Sequence, residues 1–159
     1  MTEGHMNTVK MKLCEHLSEA DSSLSPQNTH VLPSSDEQMW KYDTSNLPII
    51  TVRIGPSKIN EPIQGRQLGG GKWGNFVNYF FTAHIFAKIN ETEDEDTIKT
   101  AMDLADNIEE HLLRSKDDTT GIAYYYEITK RESPVNMARV MRVIVEGYIY
   151  CRKPFKTEP

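Results

Sequence analysis

The chain has 159 residues, 38% hydrophobic and 26% charged, with a net charge of −5, proportions that suit one domain with a single core and do not suit a disordered or collagen-like chain. No apolar run approaches the ~20 residues needed to span a bilayer, and the first residues lack the apolar stretch of a signal peptide, so an intracellular protein, or one assembled inside a cell, is expected. The negative balance argues against a protein whose main task is to grip DNA or RNA by neutralising phosphates.

In chain order, "GHM" at Gly4–Met6 is tag-like, and residues 1–5 are set aside as a tag-like or disordered N-terminus. From Met6 to about Ala20, Val9, Leu13 and Leu17 recur four apart with Met6 and Cys14 near the same face, which predicts a short amphipathic helix. Residues 21–46 are rich in Ser, Asp, Asn and Pro and read as a long surface loop used in a contact or mobile, with short extended pieces at "HVL" and "MWKY". Trp40 and Tyr42 alternate there, placed to set one ring each into a groove.

"LPIITVRIG", Leu47–Gly55, is β-branched and stopped by Gly55-Pro56, a strand. A connection of about twenty residues follows, 56–74, too long for a simple turn and read as an arm. The strand Asn75–Ile89 places Tyr79, Phe81, Ala83, Ile85, Ala87 and Ile89 on a core face; Phe80, Thr82, His84, Phe86 and Lys88 fall on a half-wet face. The acidic run Glu91–Asp96 lacks the alternation and glycine of a calcium loop and reads as charge favourably placed at a helix N-terminus. From an N-cap at Asp96 or Thr97, Ile98, Ala101, Met102, Ala105, Ile108 and Leu112, widened by Leu104 and Leu113, form a helical stripe ending near Arg114 and Lys116. Gly121–Arg131 alternates with Ile122, Tyr124, Tyr126 and Ile128 on one side. The last strand places Met141, Val143, Val145, Gly147, Ile149 and Cys151 together, after a connection around Pro134.

The expected fold is α+β: a two-layer sandwich of a mostly antiparallel four-stranded sheet with two packed helices, order α-β-β-α-β-β, bearing a long β-hairpin arm. A single domain is expected over 6–153, with long loops at 21–46 and 56–74 and a flexible C-terminus at 154–159.

"GRQLGGGKWGNF", Gly65–Phe76, resembles a phosphate loop at first sight, but Arg66 stands where a Walker loop needs its first glycine, Trp73 follows Lys72, and the stretch lies between strands rather than ahead of a helix. Its two remaining readings are a glycine-rich hairpin tip and a partner-binding arm. In the second, the glycines admit unusual backbone, Trp73 supplies buriable area, and Arg66 and Lys72 seek acidic partners. Cys14 and Cys151 have neither metal-ligand nor disulfide-framework spacing and read as reduced packing residues, and His16, His30, His84 and His111 show no HxxxH or HxH spacing. Asp103, Asp106, Glu109 and Glu110 read as a solvated helix face, and Tyr124–Tyr126 as sheet packing. No catalytic, cofactor or metal residues are assigned, and a nonenzymatic role is expected. The interaction residues are Arg66, Leu68, Lys72, Trp73 and Trp40.

The succession of "TVKMKLCEHL", "LPIITVRIG", "YFFTAHIFAKI" with its acidic exit, "TIKTAMDLADNIEEHLL" and the closing hairpin "IAYYYEIT…RVMRVIVEGYIY" resembles the tail terminator, or tail completion, family of long-tailed phages and related viruses. The resemblance covers roughly Thr8–Ala20 and Leu47–Tyr150 and departs from the family in the length of 21–46 and of the arm 56–74, which leaves room for a head-tail adaptor or tube-like subunit. It implies a structural virion protein without cofactor that forms a homo-oligomeric ring, commonly of six copies. Its implied partners are the tail tube protein and the head-tail connector, with DNA passing through the lumen unread and no membrane contact. Such a protein is assembled in the host cytoplasm and resides in the virion. A negative charge suits a lumen that does not trap DNA. The rival reading from the residues is a small intracellular enzyme or ligand-binding domain whose site is built from scattered side chains.

Overall fold

The computed structural model describes residues 4–24, 30–32, 47–59, 66–69, 72–88, 94–115, 123–136 and 140–154. In chain order it contains helix α1 (His5–Glu19), a 3-10 turn (Ser22–Leu24) and strands β1 (Val31–Leu32), β2 (Ile49–Ile59), β3 (Arg66–Gly69) and β4 (Lys72–Lys88). Helix α2 (Asp94–Arg114) and strands β5 (Ala123–Arg131), β6 (Val135–Asn136) and β7 (Val140–Pro154) complete it. The class is α+β, as expected. The sheet is larger than the four antiparallel strands expected: among the described residues it has seven, and it is mixed.

The four long strands stand in the order β2-β4-β7-β5, each antiparallel to its neighbour. Three short strands are added. β1 runs parallel to β2 at the edge, β3 pairs with the start of β4, and β6 pairs with the start of β7. Two-residue strands carry no alternation to read, and β3 is too polar and glycine-rich to show one, which is why these three are invisible in the pattern. They also cut into the expected loops: β1 and the 3-10 turn fall within 21–46, and the arm is strand at 56–59, 66–69 and 72–74. Apart from Asp21 and His30, the remainder of both loops lies outside the described residues, as does "MWKY". Gly55-Pro56 does not end β2; it sits at a register shift between Ile54 and Ser57, a bulge that absorbs the missing proline N–H while pairing continues to Ile59. Pro154, assigned to the flexible end, closes β7 opposite Gly74.

Both helices pack on one face of the sheet, and their apolar stripes meet the odd-numbered residues of β4 and β7 and the even-numbered ones of β2 and β5. Val9, Leu13, Cys14 and Leu17 of α1 join Ala101, Leu104, Ala105, Ile108 and Leu112 of α2 in one core with Val77, Tyr79, Phe81, Ala83, Ile85 and Ala87 of β4. From β7 come Met141, Val143, Val145, Ile149 and Cys151, with Tyr126 from β5. The α2 stripe is narrower than expected: Met102 is 42% exposed and Leu113 55%, because each stands a helical step away from the line that faces the sheet. Met6 is likewise 40% exposed. Ile98, Ile89 and Ile122 have no described side-chain environment.

The opposite face of β4 is only partly wet. Phe80 and Thr82 are half-buried, but His84 and Phe86 are buried, and Phe86 forms a second small core with Val140 and Leu47. A central strand with neighbours on both sides and apolar residues at successive positions is suited to burial on both faces, and this part of β4 follows that pattern.

Candidate interaction surface

β4 is the longest strand, with 17 residues. Its helix-covered core residues run from Val77 to Ala87. Lys72–Phe76 extend β4 by about 17 Å, at ordinary strand rise, before the first of these residues. This stretch is not a single strand: β3 pairs along one side (Arg66↔Gly74, Gln67↔Trp73, Gly69↔Lys72) and the end of β7 along the other (Phe76↔Arg152, Asn75↔Lys153, Gly74↔Pro154). β2 and β3 pair with the same side of β4 in the same sense, so together with β4 they make one long hairpin whose far part is a three-stranded tongue. Of the five interaction residues expected from the sequence, Arg66, Leu68, Lys72 and Trp73 are brought together on this tongue, Leu68 at the register shift between Gln67 and Gly69. Trp40 lies outside the described residues.

Two sets of contacts fix the direction of α2 over the sheet. Arg131, at the end of β5 and opposite Val145, which is itself opposite Ala83, reaches α2 with Nε on Glu109 Oε1 at 2.8 Å and Nη2 on Glu109 Oε2 at 2.9 Å, and also pairs with Asp106. Nearer the tongue, Tyr126 is opposite Ile149 and so level with Tyr79. Its hydroxyl shares a hydrogen bond of 2.5 Å with His16 Nδ1, and the His16 ring stands 6.4 Å from that of His111. Thus α2 runs from the Ala87 end of β4 toward the tongue. Its amino-terminal end, where Asp94, Glu95 and Asp96 stand, is at the opposite end of the sheet.

The expected solvated face of α2 is partly engaged. Asp103 and Glu110 are exposed, the latter paired with Arg114 at 2.7 Å, but Glu109 is half-buried and clasps Arg131. Nothing in the local periodicity announces this latch, because its partners are 22 and 25 residues apart. At the other end of the helix, Ala20, Asn107, Glu110, His111 and Arg114 line a shallow depression of about 230 Å³, and Glu19 Oε2 lies 3.6 Å from His111 Nε2.

On the face away from the helices, Phe80 and Tyr148 meet edge-on with centroids 5.6 Å apart, and the Tyr150 hydroxyl donates to Glu127 at 2.5 Å. Asn78 Oδ1 and Arg142 Nε are buried there without a hydrogen-bond partner among the described residues. His84 is packed as expected, its ring stacked on Phe86 at 6.3 Å.

Both cysteines are buried and reduced. Desolvation pushes the Cys14 thiol up to about 11 against a smaller opposing pull from Lys10, and the Cys151 thiol up to about 12. Among the described residues no group of three or more His, Cys, Asp or Glu is arranged to hold a metal ion, and no helix is long and apolar enough to cross a membrane. Comparison of the chain with protein-family models and with curated proteins gives no match.

Proposed function

We propose that the protein is a structural virion subunit that forms a ring, of about six copies, capping a tail tube or joining head and tail. The observation that carries the reading is the tongue: strand pairing that continues along both sides of β4 before Val77 and gathers Arg66, Leu68, Lys72 and Trp73 at one end of the sheet. A hairpin of this kind presents side chains and strand edges to a neighbour, and aromatic and arginine residues are the ones that most often anchor protein contacts. β5 stands at the edge of the sheet, with β7 its sole partner among the described residues, a second place where neighbouring copies can meet. In this reading the partners are other copies of the chain, a tube protein and a connector protein, DNA passes through the lumen without sequence-specific contact, and no cofactor takes part.

The test is mass and assembly. Light scattering of the purified chain should give a closed oligomer. Replacing residues 67–73 by a two-residue turn should leave the melting transition in place while reducing oligomer formation and particle completion. Normal yield of completed particles from that variant would remove the tongue from the reading. Neighbouring portal, capsid and tail genes would favour it, and a metabolic gene neighbourhood would sink it. The depression at His111 is the observation that favours the second reading, a ligand-binding domain. A saturable rise in melting temperature with a small molecule, abolished by His111→Ala, would establish that reading instead.

A further inference from the structure

We infer that the tongue of one copy docks on the acidic amino-terminal half of α2 of the next copy, a head-to-tail contact that deepens, and rests on, the ring-subunit reading above. The starting point is a separation of charge along the sheet. The described strands of the tongue, 66–69, 72–76 and 152–154, hold Arg66, Lys72, Arg152 and Lys153 and no acidic residue. They thus carry four of the chain's 18 Lys and Arg, leaving 14 against 23 acids, a net −9, for everything else. At the far end of the sheet, α2 begins with Asp94, Glu95 and Asp96 and continues to Asp103, with Lys99 as the one cation in that half. Asp106 and Glu109 are engaged by Arg131, and Glu110 by Arg114, so they are not needed for the contact.

Because α2 runs toward the tongue, its acidic start and the basic tongue stand at opposite ends of a strand about 58 Å long at ordinary rise. One molecule cannot bring the two together. Two molecules can, and a contact between two different surfaces of the same chain propagates head to tail, closing into a ring when the rotation between copies permits. Opposite charge at the two surfaces steers this register and opposes tongue-to-tongue or helix-to-helix encounters, where like charges face. Trp73, among the basic residues of the tongue, adds apolar area at the same place in the chain.

The experiment uses two charge-reversed full-length proteins, Arg66→Glu/Lys72→Glu on the tongue and Glu95→Lys/Asp103→Lys on the helix, with sedimentation as the readout. Each alone should lose self-assembly by about tenfold or more in dissociation constant while keeping its melting transition, since like charges then meet at every contact. Mixed one to one they should assemble again, because each tongue then meets a helix of opposite sign. Assembly of the native chain should weaken between 0.1 and 1 M salt, as the screening length falls from about 10 to about 3 Å. Should a reversal unfold the chain, Arg66→Gln/Lys72→Gln reads the same quantity through a flattened salt dependence. If the native chain forms oligomers and both reversals assemble like it, the docking inference falls and the ring reading stands. A native chain that is monomeric at every concentration removes both. Loss of assembly without rescue on mixing means a different acceptor and overturns the inference. So does a tongue variant that assembles normally but loses binding of a short duplex DNA that the native chain binds, since the tongue would then be a nucleic-acid contact.

Discussion

Gly147 shows how a single residue can be fixed by something distant in sequence. It lies on the inner face of β7 beside the register shift between Ile128 and Lys130, and a Cβ there would stand 2.0 Å from the Glu127 carbonyl oxygen and 3.0 Å from the Phe81 ring. The backbone on one side cannot yield, so Gly147→Ala should destabilise the fold by at least about 2 kcal/mol, read as a lowered urea midpoint. A midpoint within error of the native one would show that β5 shifts freely. In the sequence Gly147 is only one member of an alternating face; its neighbour across the sheet is 20 positions away and cannot be found by periodicity. Asp21 is a second such case. Burial pushes its carboxyl upward, but the Ser23 N–H, the Ser23 hydroxyl and Asn107 all donate to it and hold it below its ordinary value near 3.8. A lowered folded-state value contributes stability above the unfolded value, and that stability is lost as pH falls through the folded one. The native chain should therefore exceed Asp21→Asn in stability at neutral pH, with the gap closing below about pH 4 in paired melts. The two thiols give a third expectation. Held high by desolvation, they should resist a thiol reagent at pH 8 in the folded chain and both react in denaturant. Rapid labelling of Cys151 in the native chain would mean that the end of β7 opens.

At the scale of elements, what packs locally or repeats often was readable. α1, β4, β5 and β7 follow from spacing and β2 from its β-branched run, and the inner faces of β4, as far as Ala87, and of β7 agree with that spacing, because a period sustained over many positions is set by burial on one side. Limits appear where the period is short or the second side matters. β1 and β6 span two residues each, and burial of Phe86 and His84 depends on what covers the second face of the sheet, which no single strand encodes. Residue type alone marks Arg66, Lys72 and Trp73, yet their place on paired strands, not a loose loop, depends on the register with β4 and hence with β7. The central test at this scale is α2. Ile108 is fully buried against the sheet, so Ile108→Ala should cost about 2–5 kcal/mol through the cavity it leaves. Asp103→Ala, on the exposed side, should be within about 0.5 kcal/mol of the native chain. Chemical denaturation of both checks it: equal costs would mean that the helix does not bear on the core.

For the whole molecule, charge and architecture have the same polarity: a basic strand-built end, an acidic helical end, and a core between them fastened by α1 and α2 on a single face. If the proposed ring forms, shortening the tongue should separate assembly from folding by leaving the core untouched. β7 is the last strand in sequence yet lies inside the sheet, between β4 and β5, and its pairing with β4 joins residues as far apart as Gly74 and Pro154. A nascent chain therefore carries β4 without its inner partner until residues 140–154 have left the ribosome, and contacts of such long sequence separation form slowly. During that interval the apolar edge of β4 is exposed to other nascent chains, so yield in the cell should respond to chaperone supply more than the stability of the finished fold would suggest.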